Sequence, residues 1–245
     1  MRHSWQILLM LGLFLLSPVV YFIHYLVFRD PHHIFIYLVG DIAFVPIEVL
    51  LVTLIIHRLL EAREKRTMLE KLNMLIGTFF SQLGSPLIRI LAGSDAGRQG
   101  LSEIIEVKSF SQKEYPGLRR RLAAYEGKLE MASCDLVALK DLLWGHQDFL
   151  TRLLENPNLL EHDTFTDLLW PVFHLAEELS FRENVDSLSG PDAKHIAGDI
   201  QRVYSRIILE WADYMRHLRV NYPYLFSLAI RMNPFDPSAS PVIDG

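Results

Sequence analysis

Two long apolar runs separated by five residues constrain this chain more than any other feature. Residues 5–28 contain only Gln6, Gly12, Ser17, Pro18 and His24 as interruptions, and residues 34–56 only Gly40, Asp41, Pro46, Glu48 and Thr53. As helices they extend roughly 36 and 34 Å, enough to cross a hydrocarbon layer of about 30 Å. The connector Arg29-Asp30-Pro31-His32-His33 leaves room for a tight turn and nothing more. The expectation is a transmembrane hairpin over residues 1–57. The first run is too long for the apolar part of a cleaved signal, and no small-residue cleavage site follows it.

Orientation follows from the basic residues. Arg2 precedes the first run, Arg29 alone sits in the turn, and Arg58, Arg63, Lys65, Arg66 and Lys71 follow the second. The positive-inside rule then places both termini in the cytoplasm, with the hairpin in the inner (cytoplasmic) membrane. With the two runs set aside, the rest of the chain has the apolar content of an ordinary soluble domain. A net charge of −5 argues against a nucleic-acid partner. A single cysteine excludes a disulfide framework and multi-cysteine metal sites.

Beyond the hairpin, the pattern is helical throughout, and the expected class is all-α. No Gly or Pro interrupts residues 57–66, and Leu69, Leu72, Ile76, Phe79 and Leu83 follow with heptad spacing. This predicts a juxtamembrane helical segment over 58–91, in which one rod ends near Gly84-Ser85-Pro86 and a short helical piece follows at Leu87–Leu91, with a coiled-coil seam able to pair with a second copy. A cytoplasmic antiparallel bundle over 92–232 and an extended tail over 233–245 complete the expected organisation. Leu118, Leu122, Tyr125, Leu129, Ala132, Leu136, Leu139, Leu143, His146, Leu150 and Leu153 alternate by four and three, which predicts one coiled-coil-like helix over 116–155. Its partner is another helix of this chain or of a second copy. Ser111-x-x-Glu114, Thr164-x-x-Asp167 and Ser189-x-x-Asp192 read as capping boxes at helix starts.

Phe80-Ser81-Gln82-Leu83-Gly84-Ser85-Pro86-Leu87 resembles the phosphoacceptor box of sensor histidine kinases over about ten residues. Gln82 stands where the phosphoacceptor histidine belongs, and no Gly-rich nucleotide segment is present, so no kinase activity is implied. The hairpin, Glu70-Lys71-Leu72-Asn73-Met74-Leu75-Ile76-Gly77 and Tyr222-Pro223-Tyr224-Leu225-Phe226 resemble an uncharacterised prokaryotic family of membrane proteins. That resemblance covers most of the chain and implies a two-span anchor with a helical domain, but no activity.

Several residues carry chemistry. Asp41 and Glu48 lie inside the second run, where an ionised side chain costs at least about 2.5–3.5 kcal/mol. Seven residues apart, they share one helix face, and folding about Pro31 brings Asp41 near Tyr21 and His24. They act as structural staples, as the lining of an oligomeric ion or proton channel, or as a contact for a basic membrane-protein partner. His146, at a seam position, fixes register or responds to pH.

His174 with Glu178, His195 with Asp199, and Asp213 with His217 have the i,i+4 spacing of helical metal sites. However, His195, Asp199, Arg202, Arg206, Asp213 and His217 fall on one strip opposite the apolar face. Its two arginines weigh against a cation, so a solvated face without metal or other cofactor is expected. Arg119-Arg120-Arg121 is a solvated face or a contact for acidic lipid headgroups. Residues 222–235 either cap the bundle core or return to the membrane surface. No nucleophile elbow and no phosphate-binding glycine loop is present. The sequence points to a membrane-anchored, homo-oligomeric scaffold or signal relay without catalysis. A channel is the alternative, and a membrane-bound metal-binding bundle the third reading.

Overall fold

The structure, a computed structural model, describes residues 4–160 and 163–242. Arg2, used above for orientation, and the last three residues of the expected tail lie outside the described residues. The chain divides into two compact units, residues 1–65 and 66–245. Every element named below is helical, and no strand occurs among the described residues, so the protein is all-α.

The first unit begins with α1 (Ser4–Phe28), followed by the start of α2 (Pro31–Phe79). The turn between them is specified locally. Arg29 takes a left-handed backbone with φ 49°. Asp30 then caps α2 by accepting from the backbone N–H of His32 and His33 at 3.0 and 3.3 Å. Pro31 opens the helix, where its missing N–H costs nothing. Leu, Ile, Val and Phe side chains stand exposed along both helices. Both are long and apolar enough to cross a membrane.

The second unit packs around one apolar core. Leu72, Ile76 and Phe79 of α2 are buried in it, so these heptad positions are occupied within the chain and are not an open seam for a second copy. The expected helix end near Pro86 is also absent. The chain passes through a π-helical turn (Phe80–Gly84) directly into α3 (Ser85–Gly93). In that turn the Ser85 N–H bonds the Phe80 carbonyl, five residues back. The wider turn eases the clash between the Pro86 ring and the carbonyl four residues earlier, which would otherwise break an α-helix. Gly84 is required there, because a Cβ would lie 2.6 Å from the Phe80 ring and 2.8 Å from that of Phe79.

Next come α4 (Arg98–Ile104), a 3-10 turn (Val107–Phe110) and α5 (Tyr115–Ala123). The single helix expected over 116–155 does not form. It is divided into α5, an irregular stretch with a 3-10 turn (Met131–Ser133), α6 (Leu136–Gly145) and α7 (Gln147–Leu154). The reason is local: Asp135 caps a new helix by accepting from the Ala138 N–H at 2.9 Å. Upstream, the stretch around Gly127 is tied to Asp95 instead of continuing the helix, with the Lys128 N–H donating to Asp95 at 2.9 Å. The apolar register nevertheless marked core positions, since Leu118, Leu122, Leu139, Leu143, Leu150 and Leu153 are all buried.

α8 (Pro157–Leu160), α9 (Asp163–Ser180), α10 (Gly190–Asn221) and α11 (Pro223–Arg231) complete the fold. α9 and α10 form an antiparallel pair, and Pro171 lies within α9 without ending it. α10 is the central element, contacting α3, α5, α9 and α11. Aromatic rings line it: Phe80 stacks on Tyr214 at 5.0 Å, and Trp211 meets Phe110 and Phe235 edge to face. Each such pair adds roughly 0.5–1.5 kcal/mol beyond its buried area. The expected tail therefore starts inside the fold. Asn233 and Phe235 are buried, and the Phe235 carbonyl accepts from Arg98 Nε at 2.8 Å.

Candidate functional site

Polar residues that bear on function gather in three places. The first lies within the N-terminal unit. Tyr21 donates to Asp41 Oδ2 at 3.4 Å, as folding about Pro31 predicted. His24 lines the same cleft of about 230 Å³ with Val20, Ile34 and Tyr37. The His24 Nδ1 is shielded and has no hydrogen-bond partner. Glu48 is not part of this group. It is exposed and makes no hydrogen bond or ion pair with any described residue.

The second place is the α9–α10 pair. Spacing of i,i+4 puts His174 and Glu178 on one face of α9, and His195 and Asp199 on one face of α10. Antiparallel packing then sets His174 beside Asp199 and Glu178 beside His195. The Nε2 of His174 lies 3.8 Å from Glu178 Oε1 and 3.6 Å from Asp199 Oδ2. The Nε2 of His195 lies 3.6 Å from Glu178 Oε2 and 3.5 Å from Asp199 Oδ2. The side chain of Asp199 is only 4% exposed.

The strip expected to be solvated is therefore buried at this point. α10 is packed on more than one side, and α9 covers Asp199. The arginine of the strip is also placed differently from the expectation. Arg202 bonds Asp199 Oδ1 at 2.6 Å and leaves Oδ2 without a donor. Just beyond the end of α9, Arg182 bonds Glu178 Oε2 at 2.6 Å and reaches Asp192 with its other nitrogens. This holds the Glu178 and Asp192 carboxyls below the usual carboxylate range. The clamp by Arg182 was invisible in the sequence. Asp192, read as part of a capping box, faces Arg182 instead.

Asp213 and His217 do not join that group. Asp213 accepts from the Tyr115 hydroxyl and from Arg119 Nε, the latter at 3.3 Å. Burial and this carboxylate push the Tyr115 phenol far up. Arg119 is thus paired with Asp213, although it remains exposed like Arg120 and Arg121. His217 Nδ1 lies 3.1 Å from Asn221 Nδ2, and burial lowers its pKa. Here a third place opens, a cleft of about 300 Å³ lined by Asn73, Arg119, Thr164, Glu210, Asp213 and Tyr214. Glu210 is 5% exposed, and burial pushes its carboxyl up to about 7.

His146 sits at the junction of α6 and α7, half-buried, with Nδ1 2.8 Å from the Leu142 carbonyl. It occupies a helix break and not a continuous seam. Cys134 is half-buried, and burial pushes its thiol up, away from nucleophile chemistry.

The chain matches two family models along nearly its whole length. Residues 1–60 match the model described as MJ1433, N-terminal helical domain, and residues 68–231 match that described as Uncharacterized protein MJ1433, C-terminal helical domain. A relative named Uncharacterized protein MJ1433, from Methanocaldococcus jannaschii, is 43% identical over 233 residues, which covers 95% of this chain and 94% of the relative. No solved structure matches the chain. The matches fall on both segments that carried the resemblance, the hairpin and the helical domain.

Proposed function

Because the chain belongs to the MJ1433 family, which is described by two helical parts and not by an activity, we propose its function from its own geometry: a membrane-anchored, homo-oligomeric scaffold or signal-relay protein without catalysis. In this reading α1 and the apolar part of α2 span the inner membrane, with both termini in the cytoplasm. The basic residues Arg58, Arg63, Lys65, Arg66 and Lys71 after the second run, against Arg29 alone in the turn, support that orientation.

The observation that carries the assembly is Glu48. It stands exposed on an apolar helix with no partner among the described residues. In a hydrocarbon layer such a group costs at least about 2.5–3.5 kcal/mol unless something satisfies it. The neighbouring hairpin of a second copy supplies that partner. Assembly by the spans also fits the burial of Leu72 and Ile76, which removes the juxtamembrane seam as the contact between copies.

The test is disulfide crosslinking in membranes. Single cysteines replace Phe44, Leu51 or Val52, one turn from Glu48, in a Cys134→Ser background. The expected result is a crosslinked homo-oligomer that falls about tenfold or more with Glu48→Leu. Absence of crosslinks between copies, with the chain retained in the membrane fraction, overturns the reading. The channel alternative draws on the cleft formed by Tyr21, His24 and Asp41. Glu48→Gln with assembly intact and ion flux lost would favour it.

A further inference from the structure

We propose that His174, Glu178, His195 and Asp199 form a binding site for one divalent transition-metal ion of the zinc class, held between α9 and α10. The inference is independent of the membrane reading, because all four residues lie within the second unit.

Geometry comes first. The ligand-capable atoms of His174, Glu178 and His195 all lie within 4.8 Å of one another. Asp199 Oδ2 lies 3.6 and 3.5 Å from the Nε2 atoms of His174 and His195, and Glu178 approaches the same two nitrogens with its two oxygens, Oε1 at 3.8 Å and Oε2 at 3.6 Å. Four donors about 2.0–2.1 Å from a tetrahedral ion lie about 3.4 Å apart. The four nitrogen–oxygen approaches thus stand within a few tenths of an ångström of that spacing. They are also too far apart to satisfy one another well by hydrogen bonding.

The second observation is the state of Asp199. Its side chain is 4% exposed, and its Oδ2 is directed at both imidazoles without any hydrogen-bond donor. A buried carboxylate oxygen left without a donor is costly. The other oxygen is occupied, since Arg202 donates to Oδ1 at 2.6 Å. Glu178 is held in the same way by Arg182, which Asp192 steadies in turn. Each ligating carboxylate therefore has its own arginine fixing its orientation, the kind of outer support that tunes metal sites. These arginines hydrogen-bond the carboxylates and leave the space between the four donors to the ion.

Charge agrees. Glu178, Asp192 and Asp199 carry three negative charges against two from Arg182 and Arg202, so neutral imidazoles leave the group at −1. Protonating both imidazoles reverses that sign, and so does one divalent ion, but the ion also gives Asp199 Oδ2 a partner. Donor chemistry narrows the ion. Two imidazoles exclude a calcium- or magnesium-type oxygen cage, and the lack of thiolate excludes a soft site, leaving zinc and its neighbours.

The test uses the full chain in detergent, stripped with chelator and then dialysed against Zn²⁺. The expected result is one zinc per chain. At a hundredfold excess over Kd the melting temperature rises by about 5–10 °C. With Co²⁺ the protein shows the visible absorption of a four-coordinate ion. His174→Gln and His195→Gln, at half-exposed positions where folding is not at stake, each weaken binding about tenfold or more, as does Asp199→Asn. Arg202→Gln weakens it about 10–100-fold without removing a ligand. A His146→Gln control binds as the wild type does. Zinc retained well below one per chain overturns the proposal. So does unchanged binding in the His174→Gln/His195→Gln double variant, which would place the ion elsewhere.

Discussion

Two aspartates in the folded unit, Asp95 and Asp199, are almost equally buried, at 5% and 3% exposure. Their surroundings are opposite. Asp95 Oδ1 accepts from the Gly97 and Lys128 N–H groups, both at 2.9 Å, and Oδ2 accepts from the Tyr125 and Tyr204 hydroxyls. Every acceptor direction is used, and Asp95 joins the loop after α3 to the stretch after α5 and to α10. Asp199 has one oxygen on Arg202, while the other faces two imidazoles without a donor. Burial alone does not distinguish structural from binding carboxylates. The separating fact is whether the fold itself fills the acceptor positions.

The largest test of this contrast is Asp95→Ala. It removes the acceptor of the buried Tyr204 hydroxyl and of three part-buried donors, and we expect a loss of about 4 kcal/mol, read by urea or thermal unfolding. Next comes Glu210, a third buried carboxylate of intermediate standing. Its carboxyl is raised by burial to about 7 from 4.5, so the folded state keeps a proton that the unfolded state has released between those values. Stability therefore falls as pH rises from about 4.5 to 7 and stays reduced above. Glu210→Gln abolishes that slope and leaves the protein about 3 kcal/mol more stable at pH 8 than the wild type. A pH-independent difference between the two would show that Glu210 is not protonated in the fold.

Gly127→Ala probes how tightly the Asp95 hub is built. A Cβ there lies 2.8 Å from the Tyr204 ring, and we expect a loss of about 1–3 kcal/mol. The smallest effect belongs to Asp199→Asn without metal, about 1 kcal/mol or less, because one oxygen is already unsatisfied. If it destabilises the metal-free protein as much as Asp95→Ala does, the two sites are alike and the contrast fails.

Patterns that depend on one element were readable in the sequence. The apolar runs and the meeting of Tyr21 with Asp41 follow from helix geometry and one proline, although the five-residue connector shortens to Arg29 and Asp30 because the helix restarts at Pro31. The heptad stripe over 116–155 identified buried leucines but hid two breaks, because periodicity does not register an N-cap such as Asp135 or a segment captured by a distant Asp95. The metal candidates show the same division. Spacing put His174 with Glu178 and His195 with Asp199 on single faces. The faces meet only because the chain turns back between Ser180 and Gly190, and only α9 makes Asp199 an interior residue. A single-helix projection had no means of showing that its polar strip lay under a neighbour.

The π-helical turn at Phe80–Gly84 also bears on how this chain tolerates insertions and deletions. An extra residue in a helix shifts the phase of everything beyond it by roughly a quarter of a turn. Leu72, Ile76 and Phe79 before the turn, and Leu87, Ile88 and Leu91 after it, therefore belong to two stripes set at different angles, both of which reach the core. Removing one residue from this turn would restore ordinary helical winding. It would also rotate one stripe out of the interior and bring the Pro86 ring against a carbonyl it now avoids. At this point, relatives that keep the fold are expected to vary in identity at the exposed Ser81 and Gln82, but not at the buried Phe80 and Leu83, at Gly84 or Pro86, or in length.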